Sequence, residues 1–256
     1  MPEVNPAPVA LPRRLLAEAI GTGLLVAVVV GSGIAAQQLS PGNTGLQLLE
    51  NSTATVFGLA VLILMFGPVS GAHFNPVVTA ADWLLGRRTG TGIAGVHVAP
   101  YIAVQTIGAV AGAMLANAMF ELPIVEISGT DRASTGHGIG EIVATAGLVA
   151  LIFLLARTGR HALSAAAVGA YIGAAYWFTS STSFANPAVT IGRIFTDTFA
   201  GIAPSSVPLY IGAQIIGAAV GLGLVIALFP RHTTIPEPKV VARPPVPSTV
   251  PAIQES

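Results

Sequence analysis

His73-Phe74-Asn75-Pro76-Val77-Val78-Thr79 returns 111 positions later as Phe184-Ala185-Asn186-Pro187-Ala188-Val189-Thr190. Each copy opens a short apolar stretch, about 74–85 and about 186–196. Neither is long enough to cross a hydrocarbon core of ~30 Å at ~1.5 Å per helical residue. In an otherwise very apolar chain such stretches read as buried or re-entrant segments. Asparagine is a favoured N-cap, and proline in the first helical turn gives up no hydrogen bond. Both motifs therefore predict helices that start inside the membrane.

Outward from these motifs the repetition continues. Tyr101-Ile-Ala-Val-Gln105-Thr-Ile-Gly108-Ala-Val-Ala-Gly112-Ala-Met-Leu115 aligns with Tyr210-Ile-Gly-Ala-Gln214-Ile-Ile-Gly217-Ala-Ala-Val-Gly221-Leu-Gly-Leu224, identical at eight of fifteen positions. Long apolar runs fall at about 15–38, 52–69, 98–119, 139–156, 162–180 and 207–229, and the first and fourth carry a glutamate near the start, Glu18 and Glu141. The chain is a duplicated unit of span, span, half-span and span. Three crossings per unit force the second copy to insert upside down. The expected fold is an all-α membrane protein of six transmembrane helices plus two re-entrant half-helices, an inverted repeat with its permeation site near the midplane.

Composition agrees. Of 256 residues, 53% are hydrophobic and only 9% charged, against about 25% charged in soluble domains. That excludes a soluble enzyme, a disordered protein and a nucleic-acid binder with a basic surplus. The absence of cysteine excludes disulfides, thiolate catalysis and Cys-based metal sites. Residues 1–12 hold four prolines and no basic n-region, so they read as a disordered tail rather than a secretory signal. The membrane domain is expected over 13–230, with repeats at about 13–119 and 139–229. Residues 231–256, rich in proline, read as an extended cytoplasmic tail. With six spans, Arg13, Arg14, Arg87, Arg88, Arg157, Arg160, Arg231, Lys239 and Arg243 share one face. Arg132 and Arg193 lie on the other with Glu50, Glu121, Glu126, Asp131 and Asp197. The bias of basic residues puts both termini in the cytoplasm.

Each half-helix points the positive end of its dipole at the midplane. Two such ends oppose cations and protons, and the asparagine amides offer hydrogen bonds to a solute. A small, uncharged hydrogen-bond acceptor suits that site. No phosphate-binding loop is present, and no metal or other cofactor is called for.

Ser70-Gly71-Ala72-His73-Phe74-Asn75-Pro76, Asn186-Pro187-Ala188, Glu18, Glu141 and the order of spans resemble the aquaporin (major intrinsic protein) family over about residues 13–230. The resemblance implies a passive channel, not an enzyme, that passes water or small neutral solutes. It also implies a homotetramer with one pore per subunit. It puts Asn75, Pro76, Val77, Asn186, Pro187 and Ala188 at the pore centre. Glu18 and Glu141 would then accept hydrogen bonds from the re-entrant loops, supported by His73, Gln105 and Gln214. Intramembrane acids also suit ion coupling, so a secondary transporter is the rival reading; a non-conducting structural member is another.

Two departures from water-selective members matter. Val77 stands where alanine is usual. Val189 stands where those members carry the arginine of the outer constriction, so the filter should be wider and more apolar. Glycerol, urea or a metalloid acid such as arsenite then join water as candidate solutes, and the chain is similar to bacterial members found beside arsenic-resistance enzymes. Arg193, one turn on, either builds a displaced filter or is a surface residue paired with Asp197. For the second- and fifth-span filter positions, alignment of the helices gives Phe57 and Tyr176. Counting back from the motifs gives Thr55 and Ala174. Helix phase is set by packing, which favours Phe57 and Tyr176. Ser183, three residues before Asn186, completes the expected filter. Gly108/Gly112, Gly169/Gly173 and Gly217/Gly221 have the spacing of close helix packing.

Overall fold

The structure is a computed structural model that describes residues 9–87 and 90–229. Among the described residues, eight α-helices run in the expected order. They are α1 (Leu11–Leu39), α2 (Thr44–Ser70), α3 (Pro76–Gly86), α4 (Gly95–Met119), α5 (Thr135–Arg157), α6 (Ser164–Phe178), α7 (Pro187–Gly192) and α8 (Val207–Leu228). Single 3₁₀ turns precede α6 (His161–Leu163), follow α7 (Arg193–Phe195) and precede α8 (Pro204–Ser206). Residues 1–8 of the expected 1–12 tail and all of the expected 231–256 tail, together with Arg88, Arg231, Lys239 and Arg243, lie outside the described residues.

Several boundaries differ from expectation. Pro12, expected in the leading tail, belongs to the first turn of α1, which opens at Leu11. α2 starts eight residues before its apolar run. Gln47 and Asn51 lower the hydropathy there yet are buried, because their amides donate to the Ser40 carbonyl (2.9 Å) and the Val29 carbonyl (2.8 Å). Among the described residues, five helices are long and apolar enough to cross a bilayer. The fifth expected span, 162–180, is the exception: α6 has only 15 residues. At ~1.5 Å per residue it falls short of ~30 Å, and the 3₁₀ turn before it adds most of the remainder.

Packing repeats the pseudo-two-fold seen in the sequence. α1 packs on α4 as α5 packs on α8, and α2 meets α6 across the middle. A β-carbon at Gly108 or Gly112 would overlap the carbonyl oxygens of Ala19 and Gly23; at Gly217 and Gly221 it would overlap those of Ile142 and Ala146. The two pairs of backbones therefore approach through the same register. In lipid, where apolar burial adds little, such close van der Waals contact holds helices together. Between the pairs, α3 and α7 enter from opposite ends and meet head to head.

Candidate functional site

The two motifs fold by one rule. Asn75 caps α3 by accepting from the Val77 amide (3.1 Å), and Asn186 caps α7 by accepting from Ala188 (3.0 Å) and Val189 (3.3 Å). Each Nδ2 then reaches across the pseudo-two-fold. Asn75 donates to the Ala185 carbonyl at 2.8 Å, and Asn186 to the Phe74 carbonyl at 2.7 Å. The asparagines thus latch the two half-helices together. An amide nitrogen carries two hydrogens, and the latch takes one of them.

Before each asparagine the chain is held in an unfavourable conformation. Ala72 and Phe74 have φ of 48° and 50°; Ser183 and Ala185, their mates, have 50° and 49°. Left-handed backbone costs an L-residue roughly 1–2 kcal/mol and persists only where its surroundings fix it. Two carboxylates do that here. Glu18 accepts from the amides of His73 (3.0 Å) and Phe74 (2.7 Å), from Ser70 Oγ (2.6 Å) and from Gln105 Nε2 (2.8 Å). Glu141 accepts from the amides of Phe184 and Ala185, both at 2.8 Å, and from Gln214 Nε2 (2.6 Å). Each glutamine also donates to a threonine, Gln105 to Thr79 (3.0 Å) and Gln214 to Thr190 (2.9 Å). Those hydroxyls donate to the carbonyls of Asn75 and Asn186. Thr79 and Thr190 were not singled out from the sequence, although the repeated motif contains both.

A cavity of about 280 Å³ runs past this junction. Its wall includes Asn75, Asn186, His73, Tyr176, Ser183, Val189 and Arg193. Pro76, Val77, Pro187 and Ala188, expected at the pore centre, are not in the wall. They are buried in the first turns of α3 and α7; Val77 packs among Val149, Phe153 and Ala218. Glu18, Glu141, Gln105 and Gln214 also stay out of the wall, wholly buried behind the loops.

Phe57 is corrected. It is 66% exposed and absent from the wall. Thr55 stands there instead, its Oγ1 3.3 Å from Tyr176 Oη. Two residues turn a helix by about 200°, so if Thr55 faces inward Phe57 must face out. Thr55 is joined to its motif mainly by one continuous helix, so counting back is safe in that half. In the other half the count runs through the irregular 179–186 segment, and Ala174 is exposed while Tyr176 is buried.

Arg193 is not paired with Asp197. It is 3% exposed, its Nε donates to the Ala200 carbonyl, and its guanidinium lies 3.4 Å from the centre of the Phe184 ring. Asp197 instead accepts from the Gly129 amide at 3.0 Å. Arg132, not anticipated at the site, donates to the carbonyls of Gly201 (2.8 Å) and Phe199 (3.0 Å) and reaches the same ring at 5.5 Å. Ser183 Oγ is buried in the wall with no hydrogen-bond partner among the described residues. At the α3 end the wall carries His73, Asp82 and His161.

The sequence profile of the family described as major intrinsic protein matches residues 7–183. Over 214 residues the chain is 48% identical to aquaglyceroporin AqpS of Rhizobium meliloti, which covers 84% of this chain and 89% of that one. It is 27% identical over 234 residues to a probable aquaporin, AqpM, of Archaeoglobus fulgidus, covering 81% and 93%. Among solved structures, the aquaglyceroporin from Plasmodium falciparum superposes with a TM-score of 0.61 at 20% identity, covering 84% of this chain and 96% of that one. At that identity the superposition bears on the fold alone.

Proposed function

We propose, from the premise that this chain belongs to the major intrinsic protein family, that it favours small neutral solutes larger than water. It is a passive channel for water and small neutral solutes and not an enzyme. The finer reading is a conduit for polyols such as glycerol, with a neutral metalloid acid such as arsenite as the second candidate.

One observation carries it. Val189 lines the cavity at the first turn of α7, and the guanidinium of Arg193, a turn further on, packs on Phe184 and donates to the Ala200 carbonyl. The ring of Thr55, Tyr176, Ser183 and Val189 therefore combines hydroxyls with an apolar face. A polyol presents the same two faces. Arg193 acts as a displaced filter at the outer end, where its charge opposes cations. That a relative of 48% identity is named an aquaglyceroporin supports this reading. The rival coupled transporter finds no support, because the oxygens of Glu18 and Glu141 are spent on loop amides behind the wall.

We further propose a homotetramer with one conduit per subunit, and both termini on the cytoplasmic side. The latter follows from Arg13, Arg14, Arg87, Arg157 and Arg160 clustering at one set of helix ends.

The test is stopped-flow light scattering of proteoliposomes with water, glycerol and arsenite at matched protein density. Glycerol should enter well above the rate of empty vesicles. Water flux without glycerol flux would leave a water channel and sink the solute preference.

A further inference from the structure

Asp82 and Arg193 are repeat mates, each seven residues beyond the asparagine of its motif. Both line the same cavity, one at each end. The rings beside them are mates as well. His73 Nε2 lies 3.9 Å from Asp82 Oδ2, and Phe184 lies under the Arg193 guanidinium. Each ring in turn touches the tyrosine of its own repeat, His73 with Tyr101 at 5.7 Å and Phe184 with Tyr210 at 4.9 Å between centres. Position and surroundings are kept while the charge is inverted.

That inversion answers an electrostatic problem. A positive station that repels cations is a well for anions. The α3 dipole, with its positive end at the midplane, and the full charge of Arg193 would together draw small anions into the conduit. Asp82 is the one carboxylate in the cavity wall among the described residues. Its Oδ2 accepts from the Ile93 amide at 2.7 Å, which fixes the group at the mouth.

We propose that Asp82 is the anion-rejecting group of this conduit, the counterpart at the α3 end of the charge Arg193 supplies at the α7 end. The proposal rests on Arg193 acting as a filter only for that comparison. A unit charge passing ~5 Å from Asp82, at an effective dielectric constant of ~20, meets repulsion that slows it on the order of 100-fold.

Proteoliposomes of wild type, Asp82→Asn, Asp82→Ser and Asp82→Glu are challenged with potassium chloride or potassium nitrate. A potassium ionophore is present, so that anion entry limits swelling. Water permeability of the same vesicles is the reference. The anion-to-water ratio should rise about 10- to 100-fold in the Asn and Ser variants and stay at the wild-type level with Glu. An unchanged ratio in the neutral variants overturns the proposal, as does a wild type that already passes chloride. Loss of water flux in both neutral variants also overturns it, since Asp82 would then be a peg for Ile93 and nothing more. Arg193→Val separates the two ends. If it leaves cation exclusion and solute selectivity untouched while Asp82→Asn admits chloride, the reading of Arg193 fails and that of Asp82 stands.

Discussion

The two repeats agree where they hold themselves together and differ where they face the solute. Behind the wall the match is nearly atom for atom: a buried glutamate on two loop amides, a glutamine between it and a threonine, an asparagine latched onto the opposite loop. At the ends of the conduit His73 and Asp82 answer to Phe184 and Arg193. The difference has a physical cause. A buried carboxylate that satisfies several donors at once has no isosteric substitute, because each donor left unpaired costs about 1–3 kcal/mol. Asp82 and Arg193 are each tied to the fold by a single backbone group, the Ile93 amide and the Ala200 carbonyl, so the rest of each side chain is free to differ as the solute demands.

The largest effect should come from breaking the shared frame. Glu18→Ala removes the acceptor of two backbone amides and the Gln105 amide; Glu141→Ala does the same for two amides and Gln214. Both should cost ~3 kcal/mol or more, seen as a lower melting temperature in detergent and poor recovery of assembled protein. The two losses should be alike to within ~1 kcal/mol, since each carboxylate holds the same set of loop amides and glutamine. If one variant melted like the wild type, the equivalence of the repeats would fail.

An intermediate effect should come from the α7 end. Val189→Arg combined with Arg193→Val moves a guanidinium one turn inward, off Phe184 and into the ring with Thr55, Tyr176 and Ser183. Arginine is larger than valine and brings several donors. Glycerol should then slow about tenfold more than water, a discrimination of ~1.4 kcal/mol, within the range set by small changes of pocket size. The readout is the ratio of water to glycerol permeability in the same vesicles. A ratio that does not move toward water would place the constriction elsewhere than at Val189.

How legible was this in the sequence? The frame was, because duplication writes it twice: Glu18/Glu141, Gln105/Gln214 and the Asn-Pro pairs each announce themselves by their mates. Thr79 and Thr190 were equally visible but drew no inference, since a threonine in an apolar helix has a ready partner in its own backbone. The wall was less legible. Which face of α2 turns inward depends on where the helix begins, and its first turns are disguised by Gln47 and Asn51. Val77 and the prolines sit inside the signature motif, yet in the first turn of each half-helix they are buried outside the cavity wall. The fate of Arg193 was undecidable from spacing, because its partners, Phe184 and the Ala200 carbonyl, come from irregular loops flanking α7.

The smallest effect tests the corrected phase of α2 against its counterpart on α6. Thr55 and Tyr176 meet hydroxyl to hydroxyl across the cavity, the one polar contact between α2 and α6 in its wall among the described residues. Thr55→Val keeps the shape and removes the oxygen. Tyr176 Oη then faces the conduit without a partner and is left to bond whatever passes. A solute with several hydroxyls loses one contact at Thr55 and gains a freer one at Tyr176. The net effect on glycerol should therefore be a change of only about two- to threefold, under ~1 kcal/mol and smaller than the loss of an unmatched hydrogen bond. Phe57→Ala removes far more volume, but from the outer face of α2, where its ring is mostly exposed. It should leave the ratio of glycerol to water permeability where it was. If Phe57→Ala changed that ratio more than Thr55→Val, the second span would be turned by two residues from the arrangement described here, and the constriction would have to be rebuilt around the ring.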